Sequence, residues 1–352
     1  MNKFIEILKT IKFKIINGMF FRRKNKIILD KNNNYNNITV KFSNMLIKSI
    51  NHKHIEEMSE HIKEFLNVMT RDCRNFASEI LLQNFKITFF DISKIKKIDN
   101  GIGGEVNASM SFYPFLGIHK IKNIKYTIDN FSVSKHELLH LSTLEGDACG
   151  FYQTNKNNLA EGLNEGYTQL LSERYFYENI GEAYFYETFF CGILEKIVGK
   201  EKMEKFYFEV SLASLINELQ QYENNENIMT FIKNMDLLLN LKLFNNTLNL
   251  TLENFNKCQN IVNELCEFLL SIFKRKIDLI SLEQTKSESE VYLHLLVDSI
   301  FKEKTIIRFN HNNKMKEHII NLFDKNKVKE LHKYIDEKFY YHDNNITKNS
   351  IK

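Results

Sequence analysis

Ser134-Lys135-His136-Glu137-Leu138-Leu139-His140-Leu141 and Glu161-Gly162-Leu163-Asn164-Glu165-Gly166-Tyr167-Thr168-Gln169-Leu170-Leu171-Ser172-Glu173-Arg174 are the two stretches that decide how this chain is read. The first contains HExxH. Residues four apart on a helix stand one turn above each other, about 6 Å along the axis. Two imidazoles so placed can reach a single Zn²⁺ at about 2.0–2.1 Å each. Glu137 is rotated by roughly 100° from His136. Its carboxylate therefore misses the metal but can hold and deprotonate a water in an open coordination position. The bland reading is a helix with two polar-face histidines, anchored in a core by Leu138, Leu139 and Leu141.

A catalytic zinc needs a third protein ligand. The extended HExxHxxGxxH pattern fails, because Thr143 and Gly146 stand where it requires glycine and histidine. In the second stretch Leu163, Tyr167, Leu170, Leu171 and Tyr175 form an apolar stripe with helical period, while Glu165, Gln169 and Ser172 fall on another face. The first helix is expected to end at Gly146, which suits a left-handed cap. After a loop and a short strand, the second helix can fold back antiparallel and present Glu165 to the histidines. A mid-helix glycine costs about 1 kcal/mol against alanine, so Gly166 is expected to mark close packing of the two ligand-bearing helices.

HExxH on one helix, followed by Asn-Glu-Gly on the next, resembles the gluzincin metallopeptidases, the thermolysin-like and aminopeptidase-like families. The resemblance spans Ser134 to Arg174. It implies His136 and His140 as histidine ligands of zinc, Glu137 as general base and Glu165 as the glutamate ligand. Two features depart from the family pattern. Glu165 stands 25 positions after His140, a few more than usual. The acid that orients a zinc histidine in the thermolysin-like enzymes corresponds here to Gln169, a neutral amide that raises ligand basicity less. Glu161 is the rival third ligand, at a spacing nearer the family's, and the Asn164-Glu165-Gly166 context favours Glu165. Resemblance also implies an edge strand beside the active helix for substrate pairing, for which Glu105 to Phe112 is the candidate; an internal strand is the alternative. The family's oxyanion donor is a Tyr or His, and Tyr152 and His294 are candidates here.

Working outward, Glu105 to Phe112 alternates polar and apolar with period two, Lys86 to Phe90 reads as a strand, and a further strand is expected near Ile121 to Ile128. Residues 46 to 84 carry helical periodicity, and Lys31 to Asn37 reads as a polar loop. From Asp129 the pattern turns helical, with a short exception at Gly150 to Gln153. Amphipathic helices then follow from Gly181 to about Asp336, broken near Glu223–Asn227, Glu283–Ser289 and Asn310–Asn313, before a frayed tail from Asn344. The GxGG at Gly101 lacks the GK[ST] ending of a phosphate-binding loop.

The 352 residues are 43% hydrophobic and 26% charged, those of a globular chain of one large or two modest domains. Lys and Arg number 48 against 44 acids, a net charge of +4 and too balanced for a nucleic-acid binder on charge alone. Residues 1–26 set eight basic side chains against one acid, Glu6, among regularly spaced Phe and Ile. They read as a basic amphipathic helix, packed on the domain that follows or lying on an anionic membrane. No apolar run reaches the length of a spanning helix, and no signal-peptide core stands out. Cys73, Cys149, Cys191, Cys258 and Cys266 are scattered and odd in number, which indicates buried, reduced thiols and a cytoplasmic location, with peripheral membrane contact as the variant.

The expected fold class is α+β: a zincin-like domain with a small mixed sheet and active-site helices, then a mostly α-helical C-terminal half. Expected boundaries are 1–37 for the basic segment, 38–180 for the catalytic domain and 181–352 for the helical part. The expected function is zinc-dependent hydrolysis of a peptide or protein substrate, with Zn²⁺ as cofactor and no nucleic-acid partner. The alternatives are a non-catalytic metal-binding module and a helical interaction or membrane-associated module.

Overall fold

Twelve glycines and one proline leave the chain few helix breakers, and the computed structural model is correspondingly rich in helix. The structure describes residues 25–28, 39–45, most of 56–69, 85–90, 108–111, 123–127, 134–145, 148–153, 158–177, 184–245, 252–283, 286–303 and 314–349. The chain divides into two compact units: Met1–Cys149 with Leu171–Ile180, and Gly150–Leu170 with Gly181–Lys352.

In the first unit five short strands are described as backbone: β1 (Asn25–Ile28), β2 (Thr39–Met45), β3 (Phe85–Phe90), β4 (Ala108–Ser111) and β5 (Asn123–Thr127). Their order is β1-β2-β3-β5-β4. The central ladders are parallel, Phe42 opposite Ile87 and Ile87 opposite Ile124, and the two outer ones are antiparallel. Helix α1 (Ser134–Ser142) lies beside β4 and β5. Leu138, Leu139 and Leu141 on α1 are buried, as are Ile62, Phe65 and Met69 in the helical turns between 56 and 69. Phe65 stacks on Phe176, ring centroids 5.2 Å apart. A two-residue hairpin follows α1, β6 (Leu144–Glu145) against β7 (Ala148–Cys149).

The second unit begins with β8 (Tyr152–Gln153), whose Gln153 exchanges backbone hydrogen bonds of 3.0 and 3.1 Å with Leu159. Helix α2 (Glu161–Phe176) comes next, then α3 (Phe185–Val198), α4 (Lys200–Phe208), α5 (Leu212–Leu219) and α6 (Asn225–Asn245). The longest, α7 (Leu252–Glu283), precedes α8 (Lys286–Glu303), α9 (Lys314–Leu322) and α10 (Lys325–Asn349). Helix α3 is buried nearly all round, with Phe189, Phe190, Cys191, Ile193, Leu194 and Ile197 inside, as befits a helix covered on several faces. It is flanked by α7 and α8, while α6 pairs with α7 and α8 with α10. On α7 the buried residues Cys258, Val262, Leu265, Cys266, Leu269, Ile272, Phe273 and Ile277 recur every three or four positions, giving one stripe along its length. The four cysteines described, Cys149, Cys191, Cys258 and Cys266, are buried free thiols. No described helix is long and apolar enough to cross a membrane.

The fold class needs correction. Among residues whose side chains are described, helix accounts for 87% and the sheet has only two strands, so the molecule is mostly α rather than an α+β, zincin-like domain with a mixed sheet. The physical reason is the length of the strand signals. Within the period-two pattern from Glu105 to Phe112 the described strand is Ala108–Ser111, and no described strand exceeds seven residues, whereas α7 alone runs for 32. Helix α1 also stops four residues before Gly146. Ser142 and Thr143 donate side-chain hydroxyls to the Leu139 carbonyl at 2.7 and 3.3 Å, satisfying the helix end locally before β6 starts. At the other terminus α10 is helical to Asn349, past the expected fraying point. Residues 1–24, Lys31 to Asn37 and the Gly101 turn lie outside the described residues, while Asn25 and Lys26 open β1.

Candidate metal centre

Helix α1 carries His136 and His140 one turn apart, so both rings leave the same face. Their Nε2 atoms lie 3.0 Å apart and their rings meet edge to face at 4.7 Å. Two nitrogens bound tetrahedrally to one zinc, each at about 2.0–2.1 Å, would stand roughly 3.3 Å apart. The pair is therefore already close to that separation. Both histidines are buried, 2% and 5% exposed, and Glu137 beside them is 9% exposed. The leucines between them fix the helix by burial, each worth about 1.5–3 kcal/mol.

A carboxylate completes the set. His136, His140 and Glu165 each offer a ligand atom, and these atoms all lie within 4.8 Å of one another. Glu165 is half-buried, while both histidines are enclosed. Two imidazole nitrogens and one carboxylate oxygen form a donor set suited to Zn²⁺ with a position left open. Glu161, one turn earlier on α2 and half-buried, is not part of this group.

The α2 segment that carries Glu165 is positioned by the residues around it. Asp236 on α6 accepts hydrogen bonds from the Ala160 and Gly162 amides, both 2.8 Å, and so caps the start of α2 from outside. Burial pushes the Asp236 carboxyl up to about 6, against the lowering by those same amides. A Cβ on Gly162 would run into the Met235 carbonyl, and one on Gly166 would lie 2.5 Å from the Glu187 carbonyl. Gly166 therefore marks a close approach of α2 to α3, which corrects the expectation that it serves packing between the two ligand-bearing helices. Asn164 of the Asn-Glu-Gly segment is buried and accepts from the Phe151 amide at 3.1 Å. Gly150 sits beneath it at φ 55°, a conformation and a space that only glycine fits. Further along, Tyr167 donates to Glu195 at 2.7 Å, and Thr168 meets the Tyr207 hydroxyl at 2.7 Å.

The other candidates are dispersed. Gln169 is buried on α2, Tyr152 is half-buried on β8, and His294 belongs to a separate group with Glu290 and Asp336. One participant escaped the sequence reading. Cys149 on β7 donates its thiol to the His140 carbonyl at 3.1 Å, and its sulfur lies 3.7 Å from His140 Nδ1. With the S–H committed to the carbonyl, His140 Nδ1–H can donate to the sulfur, which leaves the Nε2 lone pair toward Glu165 and His136. The nine-residue gap and the hairpin between the two gave no periodic signal.

No family model, curated protein or solved structure matches this chain.

Proposed function

We propose that the chain is a zinc-dependent peptide hydrolase of gluzincin type, with His136, His140 and Glu165 as metal ligands. The observation that carries this reading is that those three ligand atoms lie within 4.8 Å of one another, the two histidines standing on a helix that also bears Glu137. When bound, Zn²⁺ supplies a Lewis acid that polarises the substrate carbonyl and lowers the pKa of a water toward about 7.

The remaining chemistry belongs to the chain. Glu137 holds the attacking water by one carboxylate oxygen and takes its proton as the oxygen bonds to the carbonyl carbon. The same carboxyl then gives that proton to the departing amine as the C–N bond breaks, so one water is consumed and Glu137 returns to its starting state. Burial of Glu137 keeps bulk water from competing for its carboxylate. Cys149 favours the His140 tautomer that carries its hydrogen on Nδ1 and offers the Nε2 lone pair to the metal. Strand β4 ends the sheet order and neighbours α1, so its outer edge can pair with an extended peptide. The buried free thiols support a reducing, cytoplasmic setting.

The test is zinc content measured together with cleavage of a peptide mixture. The wild-type chain is expected to hold zinc and cut, Glu137→Gln to hold zinc and lose 10²-fold or more of turnover, and His140→Ala to lose the zinc held at α1 together with the cleavage. Zinc without cleavage in the wild-type chain would instead favour a non-catalytic metal module, and a fully active Glu137→Gln would overturn the mechanism.

A further inference from the structure

A second set of ligand-type side chains stands on the pair α8 and α10. Glu290, His294 and Asp298 follow one another at four-residue intervals on α8, so they line one face. His332 and Asp336 do the same on α10. Ligand atoms of Glu290, His294 and Asp336 all lie within 4.8 Å of one another. His294 Nε2 is 3.1 Å from Asp336 Oδ1, and His332 Nε2 is 3.1 Å from Asp298 Oδ1. The two ring planes are inclined by 20° with centroids 4.9 Å apart, and their Nδ1 atoms face each other at 2.6 Å.

That last contact constrains where the hydrogens sit. Two neutral rings that both donate Nε2–H to their aspartates would face each other with two bare Nδ1 lone pairs. A cation at His294 Nε2 removes the conflict. His294 then carries its hydrogen on Nδ1 and donates it to His332 Nδ1, while His332 Nε2–H donates to Asp298. Each of the four ring nitrogens of His294 and His332 then has a partner. A metal-bound histidine whose other N–H is held by an acceptor that is itself anchored is the usual outer arrangement of protein metal sites.

We infer that Glu290, His294 and Asp336 form a second site for a divalent transition metal, with His332 and Asp298 as positioning residues that fix the His294 ring. One nitrogen and two carboxylates suit Zn²⁺ and its neighbours in the series. Asp336 is 64% exposed along its side chain, so an ion can reach the site from solvent. A metal there ties α8 to α10, and this site is independent of the one on α1.

The experiment uses the full-length chain carrying His140→Ala, stripped with chelator and then titrated with Zn²⁺ alone, bound metal being counted per chain. One equivalent is expected, lost in His294→Gln and again in Asp336→Asn. His332→Ala should keep the stoichiometry while raising Kd by 10–100-fold, a shift that a merely packed surface histidine would not produce. Circular dichroism on each variant separates loss of metal from loss of fold, these side chains being partly exposed and outside the core. Absence of zinc from the His140→Ala chain, or one equivalent that survives both His294→Gln and Asp336→Asn, would overturn the assignment.

Discussion

Single side chains carry the chemistry, and their legibility differed for physical reasons. Turnover of Glu137→Gln at 10²-fold or more below the wild-type chain, with zinc retained, is the first expectation, because the amide cannot take a proton from water. HELLH was readable because both histidines sit on one element, where a four-residue spacing alone dictates a shared face. Glu165 and Glu161 were harder to separate, since each lies on α2 one turn from the other, and spacing along one helix does not encode which carboxylate would join the histidines. Cys149 was invisible for the same reason in stronger form: it reaches His140 through the β6–β7 hairpin. Cys149→Ala is expected to weaken zinc binding at the α1 site by 10–100-fold while the helix stays intact. Competition with a calibrated chelator in the Asp336→Asn chain measures it, and an unchanged affinity would show that His140 needs no such support.

Elements are set by local chemistry that periodicity reads only in part. The strands at Phe85–Phe90 and Asn123–Thr127 were legible from β-branched and aromatic residues. The end of α1 was not, because the hydroxyls of Ser142 and Thr143 terminate the helix before the glycine expected to do so. On α2, Gly166→Ala would push a methyl into the Glu187 backbone, an overpacking cost of about 1–3 kcal/mol measurable by urea unfolding. Asp236 gives this helix a pH dependence. Its carboxyl is raised in the folded state from 3.8 to about 6, so the stability it contributes is full below pH 4 and is lost as the pH rises through 6. Two pKa units correspond to roughly 3 kcal/mol. Unfolding free energies of the wild-type chain and Asp236→Asn should therefore converge or cross in the wild type's disfavour between pH 4 and 7. A difference independent of pH over that window would show that the buried carboxyl does not titrate.

At the scale of the molecule the decisive property is a shortage of breakers. Few glycines and a single proline let helices such as α6, α7 and α10 run beyond twenty residues, and their stripes bury a continuous apolar interior in the second unit. The succession of helices after residue 184 was legible from that pattern. The balance between helix and sheet was not, because a resemblance confined to Ser134–Arg174 carries a fold expectation far beyond the residues that support it. Phe190, fully buried on α3, is expected to cost about 3–5 kcal/mol when truncated to alanine, seen as a lowered midpoint in thermal unfolding. The central claim is that two rings of α1 and one carboxylate of α2 share a metal. The most direct measurement is zinc per chain in the Asp336→Asn background for two single variants, Glu165→Ala and Glu161→Ala. The expected result is close to none for Glu165→Ala and one for Glu161→Ala; full zinc in Glu165→Ala, or equal loss in both, would contradict the assignment.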